Sequence, residues 1–189
     1  MNTGHELFIH GLTDILDGER QLVDALQKLE NDSTNPQLKK AFATHREETE
    51  GQIERLERCF ELLEEEIEES ECAGIRGIIE EKKAFMEEEP SEDILDVFHI
   101  GAGLKTETYE ICEYESLVEM AREMKHTEVA KLLRENLKEE QATLKKLESL
   151  SDKIKPEQMM AEEEEEMEEE EEEVRASSSN GRSRKRKVA

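Results

Sequence analysis

Four segments of this chain place apolar residues three or four positions apart, the spacing of an α-helix with one buried face, and glutamates interrupt each segment. The first stripe reads Leu12, Ile15, Glu19, Leu22 and Leu26, and the last reads Leu133, Leu137, Glu140, Leu144 and Leu147. Glutamate is almost never fully buried unless it has a partner, so its presence within an apolar stripe is informative. The pattern predicts a helical bundle with carboxylates facing its interior.

The two middle stripes carry the same kind of interruption. The second reads Leu38, Phe42, His45, Glu48 or Thr49, Gln52, Leu56 and Leu63. The other middle stripe has one face formed by Leu104, Glu107, Ile111, Tyr114 and Val118, with Glu110 beside that face. Each long helix is therefore expected to direct a carboxylate inward.

The composition favours helices over strands. Charged residues make up 41% of the 189 residues, whereas the chain has only 9 glycines and 3 prolines and no tryptophan. Such a composition is typical of helices with solvated charged faces. We predict an all-α fold.

Capping and proline signals mark where the helices begin. Thr3 and Glu6 form a capping-box pattern, Asn35 followed by Pro36 suits the start of a second helix, and Ser91 suits the start of a fourth. The second helix is expected to end around Ser70 and a short third helix to span about 74–87, with a break at 125–127 before the last.

These boundaries predict a connectivity. A helical hairpin, a crossover containing a short helix and a second hairpin form the plan of a ferritin-like antiparallel four-helix bundle. Pro156 closes this domain, which we assign to residues 1–156. Within it, the small residues of Gly101-Ala102-Gly103 are expected to allow a close helix approach.

The inward carboxylates are predicted to lie at one depth in the bundle. With a rise of about 1.5 Å per residue, Glu19 and Glu48 around the first hairpin loop, and Glu110 and Glu140 around the second, fall within roughly one turn of one level. Burying such carboxylates without partners would cost several kcal/mol each, against a net stability of roughly 5–15 kcal/mol. They must be protonated, paired or bound to cations.

Two divalent cations would nearly neutralise this cluster. Carboxylate oxygens with an imidazole suit iron or manganese, and His45-x-x-Glu48 and Glu107-x-x-Glu110 have the i, i+3 spacing found in di-metal bundles. We predict two metal ions, most simply iron, with manganese as the alternative. The candidate ligands are Glu19, His45, Glu48, Glu107, Glu110 and Glu140.

Several of these residues have simpler interpretations. His45 could form only a hydrogen bond inside the core, and Glu110 could point to the edge of the bundle. Tyr109 and Tyr114 are either redox-active phenols or packing residues. The other histidines are expected to be ordinary: His5, His10, His99 and His126.

Charge and cysteine content limit the partners and the compartment. The net charge is -25, of which -19 belongs to residues 1–156, so the folded domain is not expected to bind nucleic acid or anionic membranes. Three cysteines without a C-x-x-C pair predict reduced thiols. Because neither a signal peptide nor a membrane span is apparent, we expect a cytoplasmic protein.

The last part of the chain differs from the rest. Residues 162–173 are all glutamate except Met167, and the chain ends in a basic cluster at 182–187. Like-charge repulsion and the lack of apolar residues predict a disordered acidic-then-basic tail over 157–189. The basic cluster could contact nucleic acid or act as a nuclear-import signal, or simply fold back on the acidic run.

Three segments resemble the YciE/YciF family of ferritin-like proteins. They are residues 16–22 (LDGERQL), residues 45–56 (HREETEGQIERL) and residues 107–110 (ETYE), and residues 137–140 (LKEE) fit the last helix of that family. The resemblance covers about residues 4–151. It implies a ferritin-like fold, usually dimeric, with a candidate di-metal site at the six ligands named above. The family often has tyrosine, alanine and histidine where this chain has Leu16, Gly18 and Thr108.

Three functions follow as hypotheses, of which the weakest makes the tail over 157–189 the working part, which recruits a partner. In the first, the protein is a stress-associated di-iron protein that oxidises Fe(II) or consumes peroxide. In the second, it is a structural or partner-binding bundle whose metal, where present, only holds the helices together. Whether the protein is an enzyme stays open at this point.

Overall fold

Five α-helices make up most of residues 1–153, the part of the chain that this computed structural model describes. They are α1 (Gly4–Asp32), α2 (Pro36–Leu63), α3 (Ala73–Met86), α4 (Glu92–Glu123) and α5 (Thr127–Ser151). No strand occurs in these residues, so the all-α prediction is confirmed. The predicted domain end at Pro156 and the predicted disordered tail over 157–189 lie outside the described residues.

The helix starts agree with the capping signals in the sequence. Thr3 caps α1 in a full capping box with Glu6, and the Asn35 side chain accepts hydrogen bonds from the first backbone N–H groups of α2. Ser91 occupies the N-cap position of α4, although its side chain makes no capping hydrogen bond.

The second helix ends earlier than the sequence predicts. Glu64 has a φ of 58°, a left-handed conformation that stops α2 at Leu63 rather than near Ser70. Ile67, which lies four residues beyond Leu63, is 41% exposed and is not part of the buried core. Continuing the helix would also have placed the glutamates of residues 64–69 close together without burying an apolar face.

The four long helices form an antiparallel bundle. α1 pairs with α2 and α4 with α5, while α2 packs on α5 and α1 on α4. One apolar cluster joins the start of α1, the end of α2, the end of α4 and the start of α5, so neighbouring helices run in opposite directions. The crossover contains α3, whose 14 residues span about 21 Å along the side formed by α1 and α4. This is the predicted ferritin-like connectivity.

The bundle has apolar packing at both ends and a polar layer between them. Buried side chains at one end include Phe8, Leu12, Leu56, Phe60, Leu117 and Leu133. Those at the other end include Leu26, Leu38, Phe42, Leu95, Ile100 and Leu147. The acidic residues predicted to face inward lie between these two apolar regions.

A buried aspartate on α4 fixes the connection between α1 and α2. The Asp96 carboxylate accepts hydrogen bonds from the backbone N–H groups of Thr34 at 3.0 Å and Asn35 at 2.8 Å, and from the Thr34 hydroxyl at 2.8 Å. Beside it, the Ser33 hydroxyl and His99 Nδ1 are 2.9 Å apart. These contacts hold the start of α2 against α4 and thereby help to set the level of His45 relative to Glu107.

The three small residues of α4 do not act alike. A Cβ atom on Gly103 would lie 2.8 Å from Cδ1 of Leu147, which is 1% exposed, whereas a Cβ atom on Gly101 would meet nothing within 4 Å. The predicted close approach to α5 therefore depends on Gly103.

Replacing Gly103 by alanine is expected to destabilise the protein relative to Gly101→Ala by about 1–3 kcal/mol. Both substitutions gain the same helix propensity, but only the first forces Leu147 to move within a packed region. Urea unfolding of the two variants measures the difference. Equal stabilities would show that the contact between α4 and α5 is loose.

Candidate metal centre

Four of the predicted site residues meet in the middle of the bundle. His45 of α2, Glu107 and Glu110 of α4 and Glu140 of α5 each offer a ligand atom, and these four atoms all lie within 4.8 Å of one another. None of the four residues is more than 3% exposed. A buried group of three carboxylates and an imidazole at these separations could hold a metal ion.

The inward face of α4 is rotated from the predicted one. Glu107, Glu110 and Tyr114 are buried, whereas Leu104 and Ile111, both assigned to the stripe, are only partly buried. α4 has a second apolar face because α3 packs against it, as in the stacking of Phe85 on Phe98. Its apolar residues therefore follow two directions, and Glu110 points into the bundle rather than to its edge.

Glu19 lies in the same polar layer but outside the four-residue group. It is fully buried, and its Oε1 accepts a hydrogen bond from the Tyr114 hydroxyl, which itself accepts one from the Asn136 amide at 3.0 Å. Burial and the nearby Glu140 carboxylate raise the pKa of Glu19 to about 8. Its second oxygen has no hydrogen-bond partner.

Glu48 lies at the rim of the site. Its side chain is 29% exposed, and its two oxygens contact the Thr143 hydroxyl at 3.2 Å and Lys146 Nζ at 3.5 Å. The residue of this turn that is fully buried is Thr49, whose hydroxyl bonds to the His45 carbonyl oxygen. Of the six candidate ligands, only Glu48 is appreciably exposed.

The acidic side chains of the layer have more oxygens than donors to satisfy them. Both oxygens of Glu110 and one oxygen each of Glu19, Glu107 and Glu140 are buried without a hydrogen-bond partner. Burial raises the pKa of Glu107 to about 8 and raises the pKa values of Glu110 and Glu140 well above the ordinary value, and the charges of nearby carboxylates raise all three further. Orphaned oxygens at this density fit a bound cation, which would supply the missing positive charge.

His45 contacts carboxylates on both sides of its ring. Its Nδ1 lies 3.1 Å from Glu107 Oε1, and its Nε2 lies 3.5 Å from Glu140 Oε2 without the geometry of a hydrogen bond. The first contact is close enough for an ion pair with Glu107, and Nε2, which has no hydrogen-bond partner, leaves a nitrogen available for a metal.

A hydrogen-bond network supports the centre from α2 and α5. Gln52 donates to Glu140 and, at 3.2 Å, to Glu139, while Arg55 donates to Asn136 and Glu139. Sequence reasoning missed Asn136, which is fully buried and adjacent to Leu137 of the assumed stripe. The sequence signal for a buried Asn136 was its position directly beside an apolar stripe.

The two tyrosines have different environments. Tyr114 contacts Glu19 directly, whereas the Tyr109 hydroxyl donates to Asp14 at 3.3 Å and lies 3.5 Å from Cys72 Sγ. Tyr109 thus faces the region between α1 and α3.

The remaining histidines lie outside the centre. His99 bonds to Ser33, and burial lowers its pKa to about 4, while His126 stacks on Phe8 and His5 pairs with Glu65. His10 is exposed on α1. None of them belongs to the four-residue group found among the described residues.

Comparison with known proteins decides the family. Residues 3–160 match the family model described as a domain of unknown function, DUF892. The chain belongs to this family. It is 39% identical over 152 residues to Protein YciF of Escherichia coli K12, an alignment that covers 80% of this chain and 92% of that protein.

Solved structures that are similar to this chain have the same fold. The crystal structure of the E. coli stress protein YciF matches with a TM-score of 0.77 and 39% identity, over 80% of this chain and 96% of that one. YcfI of Rhodopseudomonas palustris matches with a TM-score of 0.76 and 33% identity, over 82% and 96%. A Xanthomonas campestris protein at 22% identity and a TM-score of 0.67, covering 85% and 99%, shares the fold.

Among residues 1–153, no helix combines the length and the apolar character that crossing a bilayer requires.

Proposed function

We propose that this family member binds two iron ions in its polar layer and oxidises Fe(II), with oxygen or peroxide as the electron acceptor. The observation that carries the proposal is the buried group of His45, Glu107, Glu110 and Glu140, whose orphaned oxygens need positive charge. Manganese suits the same donors and is the alternative metal.

The six candidate ligands divide by position. His45, Glu107, Glu110 and Glu140 would hold the ions from α2, α4 and α5, and Glu19 would complete the set from α1. Glu48 would add a ligand from the rim. The network through Gln52 and Arg55 orients Glu140 and Glu139, because it fixes which oxygen of Glu140 stays free.

The chemistry needs electrons from the metal and protons from the protein. Two bound ferrous ions would supply two electrons, which together with two protons reduce one peroxide molecule to two waters. Tyr114 donates its hydroxyl hydrogen to Glu19 Oε1 and keeps that carboxylate in a fixed orientation. The apolar regions at both ends of the layer limit the access of water.

A structural role for the metal is the second candidate. Its support is the near-complete burial of the four-residue group, since a closed site favours holding helices together over turnover. The two candidates differ in one measurement: a structural centre would bind iron without accelerating the consumption of oxygen or peroxide.

The cellular setting is also part of the proposal. The E. coli relative is described as a stress protein, which supports a stress-associated role for this chain. We further propose a cytoplasmic homodimer, with no nucleic-acid or membrane binding by the folded domain, in keeping with a net charge of -25. Sedimentation of the purified protein tests the dimer, with one species of about twice the 21.9 kDa chain mass expected.

Substituting Glu140 by glutamine is expected to reduce anaerobically bound Fe(II) from about two ions per chain to one or fewer. Glutamine keeps the size of the side chain but removes the charge of a buried ligand, and losing one ligand or its support lowers affinity by at least 10–100-fold. Equilibrium dialysis followed by elemental analysis gives the stoichiometry.

Glu135→Gln provides the matched control, because Glu135 is exposed on the same helix and carries the same charge. It should bind as much iron as the wild type. No tightly bound iron or manganese in the wild type would exclude the di-metal function.

A further inference from the structure

Glu48 is the most exposed of the six candidate ligands. Five of them are no more than 3% exposed, whereas the Glu48 side chain is 29% exposed and lies where α2 faces α5. An ion that reaches the polar layer from solvent would therefore meet Glu48 first. This makes the conformation of Glu48 relevant to loading.

Glu48 is held away from the buried group by two residues of α5. Its carboxylate bonds to Thr143 and Lys146, which follow Glu140 by three and six residues in the chain. With a rise of about 1.5 Å per residue, these contacts lie about 4.5 and 9 Å beyond the level of Glu140 along the axis. The carboxylate thus points outward along α5 rather than toward the centre.

Lys146 belongs to a basic groove in a strongly acidic protein. The groove lies between α2 and α5, is open to solvent, has a volume of about 600 Å³, and includes Ala41 and Leu150 in its lining. Its lysines are Lys40, Lys145, Lys146 and Lys153. Of these, Lys146 is the one that forms an ion pair among residues 1–153, and its partner is Glu48.

We propose that Glu48 is a mobile ligand that Lys146 and Thr143 retain at the groove until a metal ion arrives. In the retained position, Glu48 pairs with Lys146 and Thr143. In the loaded position, it rotates toward Glu107 and completes the coordination of one ion. Lys146 is then a positioning residue that opposes binding, since the ion must compete with it for the Glu48 carboxylate. The inference rests on the proposed two-metal function.

Replacing Lys146 by methionine is expected to tighten metal binding by about fivefold, the upper range for breaking an exposed ion pair. Adding Thr143→Val should extend the gain to about tenfold, because the second restraint on Glu48 is also lost. Anaerobic titration with Co(II), followed by its visible absorption, measures affinity and stoichiometry without any turnover. Both substitutions change the size of the side chain only slightly.

Lys145→Met is the matched control. Lys145 lines the same groove and is exposed, but it forms no ion pair within residues 1–153, so its removal changes the groove charge without releasing Glu48. We expect less than about a twofold change in Co(II) affinity for this variant. Equal tightening by Lys145→Met and Lys146→Met would overturn the retention mechanism in favour of a general charge effect.

A double-mutant cycle separates retention from direct electrostatics at the centre. The charge of Lys146 also reaches Glu107, where it opposes the rise in pKa, so it could act on the ions without Glu48. In a Glu48→Gln background, retention predicts that Lys146→Met has no further effect on affinity. A persistent fivefold gain in that background would overturn the proposal. Failure of the wild type to bind Co(II) or Fe(II) would overturn the proposed function and retention together.

Discussion

Replacing Glu110 by leucine is expected to make the metal-free protein more stable while abolishing binding of the metal pair. Both Glu110 oxygens are fully buried without a hydrogen-bond partner, and neighbouring carboxylates surround them. Replacing buried ionisable groups by apolar ones of similar volume is often stabilising by about 1–4 kcal/mol. For a chain of this length, that corresponds to a rise in Tm of roughly 3–15 °C.

Thermal unfolding followed by circular dichroism in the presence of a chelator measures the first effect, and anaerobic Fe(II) titration measures the second. Glu115→Leu is the control, because Glu115 is exposed on the same helix and undergoes the same change of side chain. It should change stability by no more than about 0.5 kcal/mol and leave iron binding intact. A less stable Glu110→Leu protein would mean that Glu110 has a favourable partner in the folded state.

The stability of the metal-free protein is expected to fall steeply as the pH rises from about 5 to 8. In the folded state the pKa values of Glu19 and Glu107 are about 8, because burial disfavours the charged carboxylate, against an ordinary value of 4.5. The folded state therefore binds more protons than the unfolded state in this interval. Each such group lowers the free energy of unfolding by up to about 1.4 kcal/mol per pH unit.

Bound metal should reverse this dependence. Ligand carboxylates must be deprotonated to bind, so a saturating divalent ion adds little stability near pH 5 and most near pH 8. Calorimetric scans from pH 5 to 8.5, with Mn(II) or with a chelator, measure the Tm of both forms. The Glu110→Leu variant should show a smaller decline without metal. A metal-free protein whose Tm rises over this interval would contradict the assigned pKa directions.

Both predictions follow from one compromise, between the stability of the empty bundle and its capacity to bind metal. The charged layer lowers the stability of the empty bundle, and apolar packing at both ends compensates for it. A sequence optimised only for stability would place leucine at Glu110. A glutamate buried at this depth is what a metal-binding function requires.

Local sequence signals determined much of this protein. The 3–4 spacing of apolar residues fixed the four long helices, and the chemistry of Thr3 and Asn35 fixed where two of them begin. The glutamates within the apolar stripes identified the polar layer, because a buried glutamate such as Glu19 or Glu140 is unfavourable where leucine would fit, unless it has a partner. These features depend on residues close together in the chain, so periodicity and capping rules capture them.

Only the tertiary structure decided how these elements face one another. The rotation of α4 depends on its packing against α3, which no local pattern of Leu104 or Ile111 could show. The outward position of Glu48 depends on Thr143 and Lys146, which are about a hundred residues away in the chain. Similarly, Asn136 joins the network through partners on α2 and α4. Helix periodicity predicts which face of its helix a residue occupies. The hydrogen-bond partners of that residue depend on distant segments that meet only when the bundle is assembled.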